Sequence, residues 1–180
     1  MACQRKSSSS VKQQQEQLKD AASPTPPSPF EDTERYLWRL GCSRDLPEAA
    51  AKAHFLPDLI RKTLKVEVVE RGRVSFSFPV IPQLTNLYNT LHGGAVAAVA
   101  EVAAQACLMT VAGDREFFLG ESAVTYLSAA RANAELDIEG RVLRQGRNVI
   151  VASVEFKIKK TQQLAYIAHF TFYNLQSAKL

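Results

Sequence analysis

Cysteine is scarce in this chain: Cys3, Cys42 and Cys107 are the only three in 180 residues. They are odd in number, scattered, and include no Cys-x-x-Cys pair, so neither a disulfide framework nor a zinc site is supported. Cys107, set among Ala106, Leu108 and Met109, reads as a free buried thiol, and a reducing compartment follows as an expectation. Charge of one sign is in no large excess. A net charge of +4 and a pI near 9.0 help attract an anionic ligand, but no basic stripe interleaved with aromatics points to nucleic acid. The N-terminus lacks an apolar segment of secretory type. One long apolar run does exist, from Leu91 to Ala112. It carries His92, Gly93, Gly94, Glu101 and Gln105 among many alanines. A charge at the centre of a span costs about 2.5–3.5 kcal/mol on insertion scales, so the run reads as a core helix and no membrane span is expected.

Hydrophobic residues make up 46% of the chain and become dense beyond about residue 60, which suits one domain with an appendage. Residues 1–29, with a serine run, a glutamine run and four prolines, offer little to bury and read as a disordered tail. Their Ser and Lys content is transit-peptide-like, whereas Glu16, Asp20 and the glutamines are not. Residues 30–62 read as a helical extension of two short helices, with Pro57 at a kink or a new first turn. Residues 63–175 hold the domain itself. Strand patterns cover Leu64–Glu70 and Arg73–Val80, joined as a hairpin through Arg71-Gly72, then Phe117–Leu127, Ala134–Leu143, Val149–Lys160 and Leu164–Asn174. One apolar helix among about six strands with short links predicts an α+β fold, an antiparallel sheet curled around a central helix. Residues 176–180 form a C-terminal tail.

Within the central helix Glu101 is the sole ionisable carboxylate, and its neighbours are all apolar or small. A helix apolar all round is a buried helix. A carboxylate buried there costs energy without a partner and becomes a candidate general base or nucleophile. Gln105, at i+4, shares its face and either orients water or binds Glu101. At the helix start, Gly93 and Gly94 permit close backbone approach, and free N–H groups there suit a carbonyl that develops negative charge. His92, just ahead, is placed to orient such a carbonyl.

The string Thr85-Asn86-Leu87-Tyr88-Asn89-Thr90-Leu91-His92-Gly93-Gly94, followed by Glu101, resembles the hotdog-fold acyl-CoA thioesterases. It is most similar to the PaaI-like branch that includes the thioesterase superfamily member 2 type. Val124-Thr125-Tyr126-Leu127-Ser128 and Val142–Arg147 carry the likeness further, over roughly residues 64–175. The resemblance implies a hotdog fold and hydrolysis of acyl-CoA to free acid and coenzyme A. It needs no metal and no cofactor beyond the coenzyme A of the substrate. It implies that Asn86 and His92 orient the thioester, that the Gly93 amide polarises its carbonyl, and that Glu101 acts as base or nucleophile. The acid then comes from a neighbouring subunit, so a homodimer is required and a homotetramer is expected. Tyr126, Ser128, Arg131 and the turn of Arg144, Gln145, Gly146, Arg147 and Asn148 match positions near coenzyme A. Two departures stand out. Glu101 replaces the aspartate of close relatives, and Leu119 replaces a serine expected on the next strand. Ser122, three residues on, is expected to face the other side of that strand, which leaves water positioning to Gln105.

Two other readings fit the same residues: a non-catalytic acyl-CoA binding or regulatory protein, and a hotdog hydratase acting on enoyl thioesters. The ending Ala178-Lys179-Leu180 resembles a peroxisomal import signal of the S-K-L type, with cytosol, plastid or mitochondrion as the alternatives. Acyl identity, fatty or aromatic, is left open.

Overall fold

The computed structural model describes residues 28–39, 45, 48, 51 and 53–175; the expected N-terminal tail up to residue 27 and the C-terminal tripeptide lie outside them. Contacts divide the chain into two compact units, Met1–Ala51 and Lys52–Leu180. In the first, helix α1 spans Pro29–Arg39. A reciprocal capping box starts it: the Glu31 N–H donates to Ser28 Oγ at 3.2 Å, and the Ser28 N–H donates to Glu31 Oε2 at 2.8 Å. Pro29 follows as the first helical residue, where a missing N–H costs nothing.

The second unit opens with helix α2, Phe55–Thr63, which carries Pro57 in its first turn and buries Ile60 and Thr63. This helix therefore belongs with the sheet, although its residues had read as part of an appended extension ending at residue 62. Strands β1 (Lys65–Glu70) and β2 (Arg73–Pro79) form the expected hairpin, turning at Gly72 with φ +75°. Helix α3 spans Gly93–Ala112, followed by β3 (Phe117–Tyr126), β4 (Glu135–Gln145), β5 (Val149–Ile158) and β6 (Gln163–Asn174). All pairings are antiparallel, in the order β1-β2-β4-β5-β6-β3. Alternate residues Val74, Phe76 and Phe78 of β2, Leu136 and Ile138 of β4, Ile150 to Phe156 of β5, and Tyr166 to Phe172 of β6 face inward. The sheet curls around α3, whose Val96, Val99, Ala100, Ala103, Ala104 and Cys107 complete the core.

Close approach of helix to sheet depends on small residues. Gly140 of β4 faces Cys107, and a Cβ there would stand 2.9 Å from Cys107 Sγ and 3.3 Å from the Ala103 carbonyl. Two sequence expectations need correction. Helix α3 starts at Gly93 rather than Leu91, because His92 is extended (φ −65°, ψ 134°) and Leu91 pairs with Thr85 in a short bridge. Nor is α3 buried all round. Gly94, Glu101, Val102, Gln105 and Met109 are exposed in the single chain, since the sheet covers one side only. Although α3 is long and apolar enough to span a membrane, its buried face lies inside the sheet, which makes it the core helix.

Candidate active site

The site begins in the segment between β2 and α3. A 3₁₀ turn at Pro82–Leu84 leads to a tight turn organised by Asn86. Its Oδ1 accepts from the Tyr88 N–H (2.9 Å), the Thr90 N–H (3.2 Å) and the Thr90 hydroxyl (3.1 Å). Asn89, at φ +55°, closes the turn in the left-handed region that asparagine tolerates. The loop is then tied to the body: the Leu91 N–H donates to the Ala130 carbonyl and the His92 N–H to the Leu84 carbonyl, both at 2.8 Å. Asn86 is thus first a loop organiser, a role that its position in the motif did not reveal.

His92 is the N-cap of α3. Its Nδ1 accepts from the Gly94 N–H at 3.0 Å, which makes Nε2 the protonated nitrogen of the neutral ring and an outward donor. The Gly93 N–H has no partner among the described residues and is the first open donor of the helix. Tyr126 of β3 pins this turn, its hydroxyl donating to the Gly93 carbonyl at 3.0 Å. Tyr126 leans edge-on against Tyr166 (ring centroids 5.8 Å apart), whose hydroxyl accepts from the buried Ala130 N–H at 2.9 Å. Burial pushes the Tyr166 hydroxyl above its ordinary pKa, so it remains a neutral brace. Gly93 and His92 therefore present two donors, one backbone and one imidazole, on a held scaffold.

Glu101 lies eight residues along the same helix, about 12 Å from Gly93 at 1.5 Å per residue. Its side chain is exposed in the single chain, not buried as an all-apolar helix implies. Gln105 shares the exposed face, and no hydrogen bond joins the two among the described residues. Glu101 also lines a cleft of about 610 Å³ between α2, β1, β2 and α3, whose other walls are almost wholly apolar. Ser122 departs from expectation. A β-bulge between Leu119 and Glu121 shifts the register of β3, so that Leu119 pairs with Phe172 and Ser122 with Phe170. Both partners are inward-facing, so Ser122 shares the helix-side face of Leu119 instead of pointing away.

The residues expected near coenzyme A separate into two groups. Tyr126, Ser128 and Arg131 stand at the Gly93 end, with Arg131 bridged to Thr90 and the Ser128 hydroxyl accepting from Gln163 at 3.3 Å. Arg144, Gln145, Gly146, Arg147 and Asn148 stand at the other end of α3, about 30 Å away for a 20-residue helix. This turn is held by structural bonds, among them the Asn174 N–H donating to the Asn148 carbonyl at 2.8 Å. The Gln145 amide donates to the Val111 carbonyl at 2.9 Å, and the Gly146 N–H donates to Val149 at 2.8 Å. Sequence reasoning missed Arg115, which ties the C-terminal end of α3 to this turn. Its guanidinium donates to the carbonyls of Ala112 (3.0 Å), Gly146 (3.1 Å) and Arg147 (3.2 Å) and lies over the Phe117 ring. A cation just past a helix C-terminus was the available signal. Arg144 and Arg147 are exposed.

Known proteins share this fold. The thioesterase superfamily matches over residues 88–165, from the loop through β5 and into β6. A protein of Saccharolobus solfataricus named as an esterase is 31% identical over 102 residues, covering 56% of this chain and 72% of that one. Human acyl-coenzyme A thioesterase 13 is 29% identical over 122 residues, covering 67% and 86%. Among solved structures, zebra fish thioesterase superfamily member 2 superposes with a TM-score of 0.62 at 23% identity, covering 80% of this chain and 96% of that one. With a sheet wrapped on one core helix and open donors at the helix start, the chain belongs to the thioesterase superfamily and has its hotdog fold.

Proposed function

We propose that the protein hydrolyses acyl-CoA thioesters to a carboxylic acid and coenzyme A, at a site completed by a second copy of the chain. The observation that carries this reading is the 12 Å separation of Gly93 and Glu101 on one helix face. A base must reach the water it activates at hydrogen-bond distance, so Glu101 cannot serve a carbonyl held at its own Gly93. A two-fold dimer with α3 helices antiparallel places Glu101 of one copy near Gly93 of the other. It also carries the Arg144–Asn148 turn of one copy toward the Gly93 end of its mate, which reconciles the two separated groups. The exposed Met109 (73%) and the open edge of β3 suit such a contact.

In this reading Glu101 accepts a proton from water as hydroxide adds to the thioester carbon. The oxyanion is held by the Gly93 N–H and His92 Nε2–H, then collapses with cleavage of the C–S bond. Direct attack by the Glu101 carboxylate is the other route, expelling the thiolate to leave a mixed anhydride that water opens at the Glu101 carboxyl carbon. In labelled water only that route puts oxygen-18 into Glu101 in a single turnover. Arg131, Arg144 and Arg147 supply cations for the phosphates of coenzyme A, and Asn86, besides its loop bonds, offers its amide nitrogen toward the thioester. Pairing of dimers into a tetramer and peroxisomal import through Ala178-Lys179-Leu180 belong to the same proposal. Glu101→Gln is the decisive test. Thiol release should fall by about 10²–10⁴-fold with assembly and acyl-CoA binding retained, and near-wild-type release would end the assignment. Parallel assay for double-bond loss with an enoyl-CoA distinguishes a hydratase.

A further inference from the structure

The cleft beside Glu101 is lined wholly by residues of the sheet-bearing unit. Ile60 and Phe76, each 4% exposed, form its floor, while Leu56 of α2, Val66 of β1 and Val102 of α3 stand as walls that remain 40%, 63% and 44% exposed. Its volume of about 610 Å³ is that of a small-molecule site. Apart from Glu101 and Arg61, no lining side chain donates or accepts a hydrogen bond, and Arg61 already pairs with Asp58 at 2.8 Å.

Resting on the hydrolase reading above, we propose that this cleft receives the acyl part of the thioester as an unsubstituted aliphatic chain, and that Leu56 of α2 and Val66 of β1 set its length. The carbonyl sits at Glu101, and the chain runs from there toward α2 within the copy that supplies the acid. Apolar walls reward each methylene seated against them, by roughly fourfold in binding. A hydroxylated aromatic acyl group would give up water around its hydroxyls for no partner, at a cost of roughly ten- to a hundredfold. The chemistry of the lining thus chooses between acyl classes that the catalytic motif leaves equal.

The test compares kcat/KM for butyryl-, octanoyl-, lauroyl-, palmitoyl- and 4-hydroxybenzoyl-CoA in the full chain and in Leu56→Trp and Val66→Trp. Calorimetric binding of the matching free acids is measured alongside, and circular dichroism checks that each variant is folded. Wild-type values should climb with chain length, 4-hydroxybenzoyl-CoA should fall below octanoyl-CoA, and each tryptophan should lower the palmitoyl-to-butyryl ratio by about tenfold or more. A flat profile, a ratio unmoved by both variants, or preference for the hydroxylated aromatic would overturn the proposal. If no thioester releases thiol, the hydrolase reading falls, and the binding arm decides the cleft alone. Affinity graded by length and weakened by tryptophan upholds it, and ungraded affinity overturns it.

Discussion

In the proposed mechanism the group that Gly93 supplies is a backbone hydrogen, which a side-chain substitution does not normally remove. Proline removes it. Gly93 is the first residue of α3, where proline is tolerated, and His92 before it already has the extended backbone that proline requires. A Cβ there would stand 3.3 Å from Tyr126 Oη, so the ring must give by a few tenths of an ångström. Gly93→Pro should therefore fold with a modestly lowered melting temperature, while losing about 10²–10³-fold in kcat, the usual effect of deleting one oxyanion donor. Unchanged kcat in a folded variant would show that the Gly93 N–H takes no part. Cys107 shows the opposite use of a residue. Burial pushes its thiol up to about 11, so it stays protonated in the core and serves packing rather than nucleophilic chemistry.

Among the elements, α3 and β4 pack closely at Gly140. Gly140→Ala would press a methyl against Cys107 Sγ, Val74 and the Ala103 carbonyl, and should cost about 1–3 kcal/mol in denaturant unfolding. On the outer face of the same strand, Glu139 accepts from Arg73 at 2.8 Å and also from Arg141. Burial alone would raise its carboxyl, but these bonds outweigh it and hold the group below its ordinary 4.5. A carboxyl lowered by folding stabilises above the unfolded value, and that contribution is lost as pH falls through the folded one. The melting-temperature gap between wild type and Glu139→Gln should therefore be widest near neutrality and close in acid. A gap independent of pH would remove the linkage. Much of this element structure was legible in advance. Alternation in Val74-Ser75-Phe76-Ser77-Phe78 and turn residues between later strands marked the sheet closely, because period-two burial is written directly in residue type. The start of α3 was not, since Leu91 continues the apolar pattern while its backbone pairs with Thr85. Nor was the bulge at β3 visible, because a one-residue shift leaves no trace in composition. The exposed face of α3 was misjudged for a related reason: alanine and valine look alike whether they meet the sheet or another surface. For the candidate site, the motif pointed to Asn86, His92, Gly93 and Glu101, whereas Arg115 and Tyr166 act through backbone carbonyls and amides that only the folded chain brings near.

For the molecule as a whole, the proposed division of the site between copies can be tested by mixing defects. Glu101→Gln and Gly93→Pro chains, each inactive alone, should regain about a quarter of wild-type turnover when co-expressed in equal amounts, since half of random dimers are mixed and each has one intact site. No recovery in verified mixed dimers would exclude sharing. Met109→Glu, far from any reacting atom but 73% exposed on the same helix face, should give monomers by sedimentation and lose activity with them. The open edge of β3 carries a further consequence, for the newly made chain. The order β1-β2-β4-β5-β6-β3 ends in a row of unpaired backbone groups flanked by exposed Phe118 and Tyr126. Until a proper mate arrives, that edge is a template for any extended strand, its own neighbours' included. If copies pair as proposed, pairing and clumping both speed up with concentration, so refolding yield should peak at an intermediate protein concentration. A yield that only rises with concentration would show that the edge carries no such hazard. With the hazard present, the chain's rate of synthesis, and not its fold alone, governs how much working protein a cell obtains.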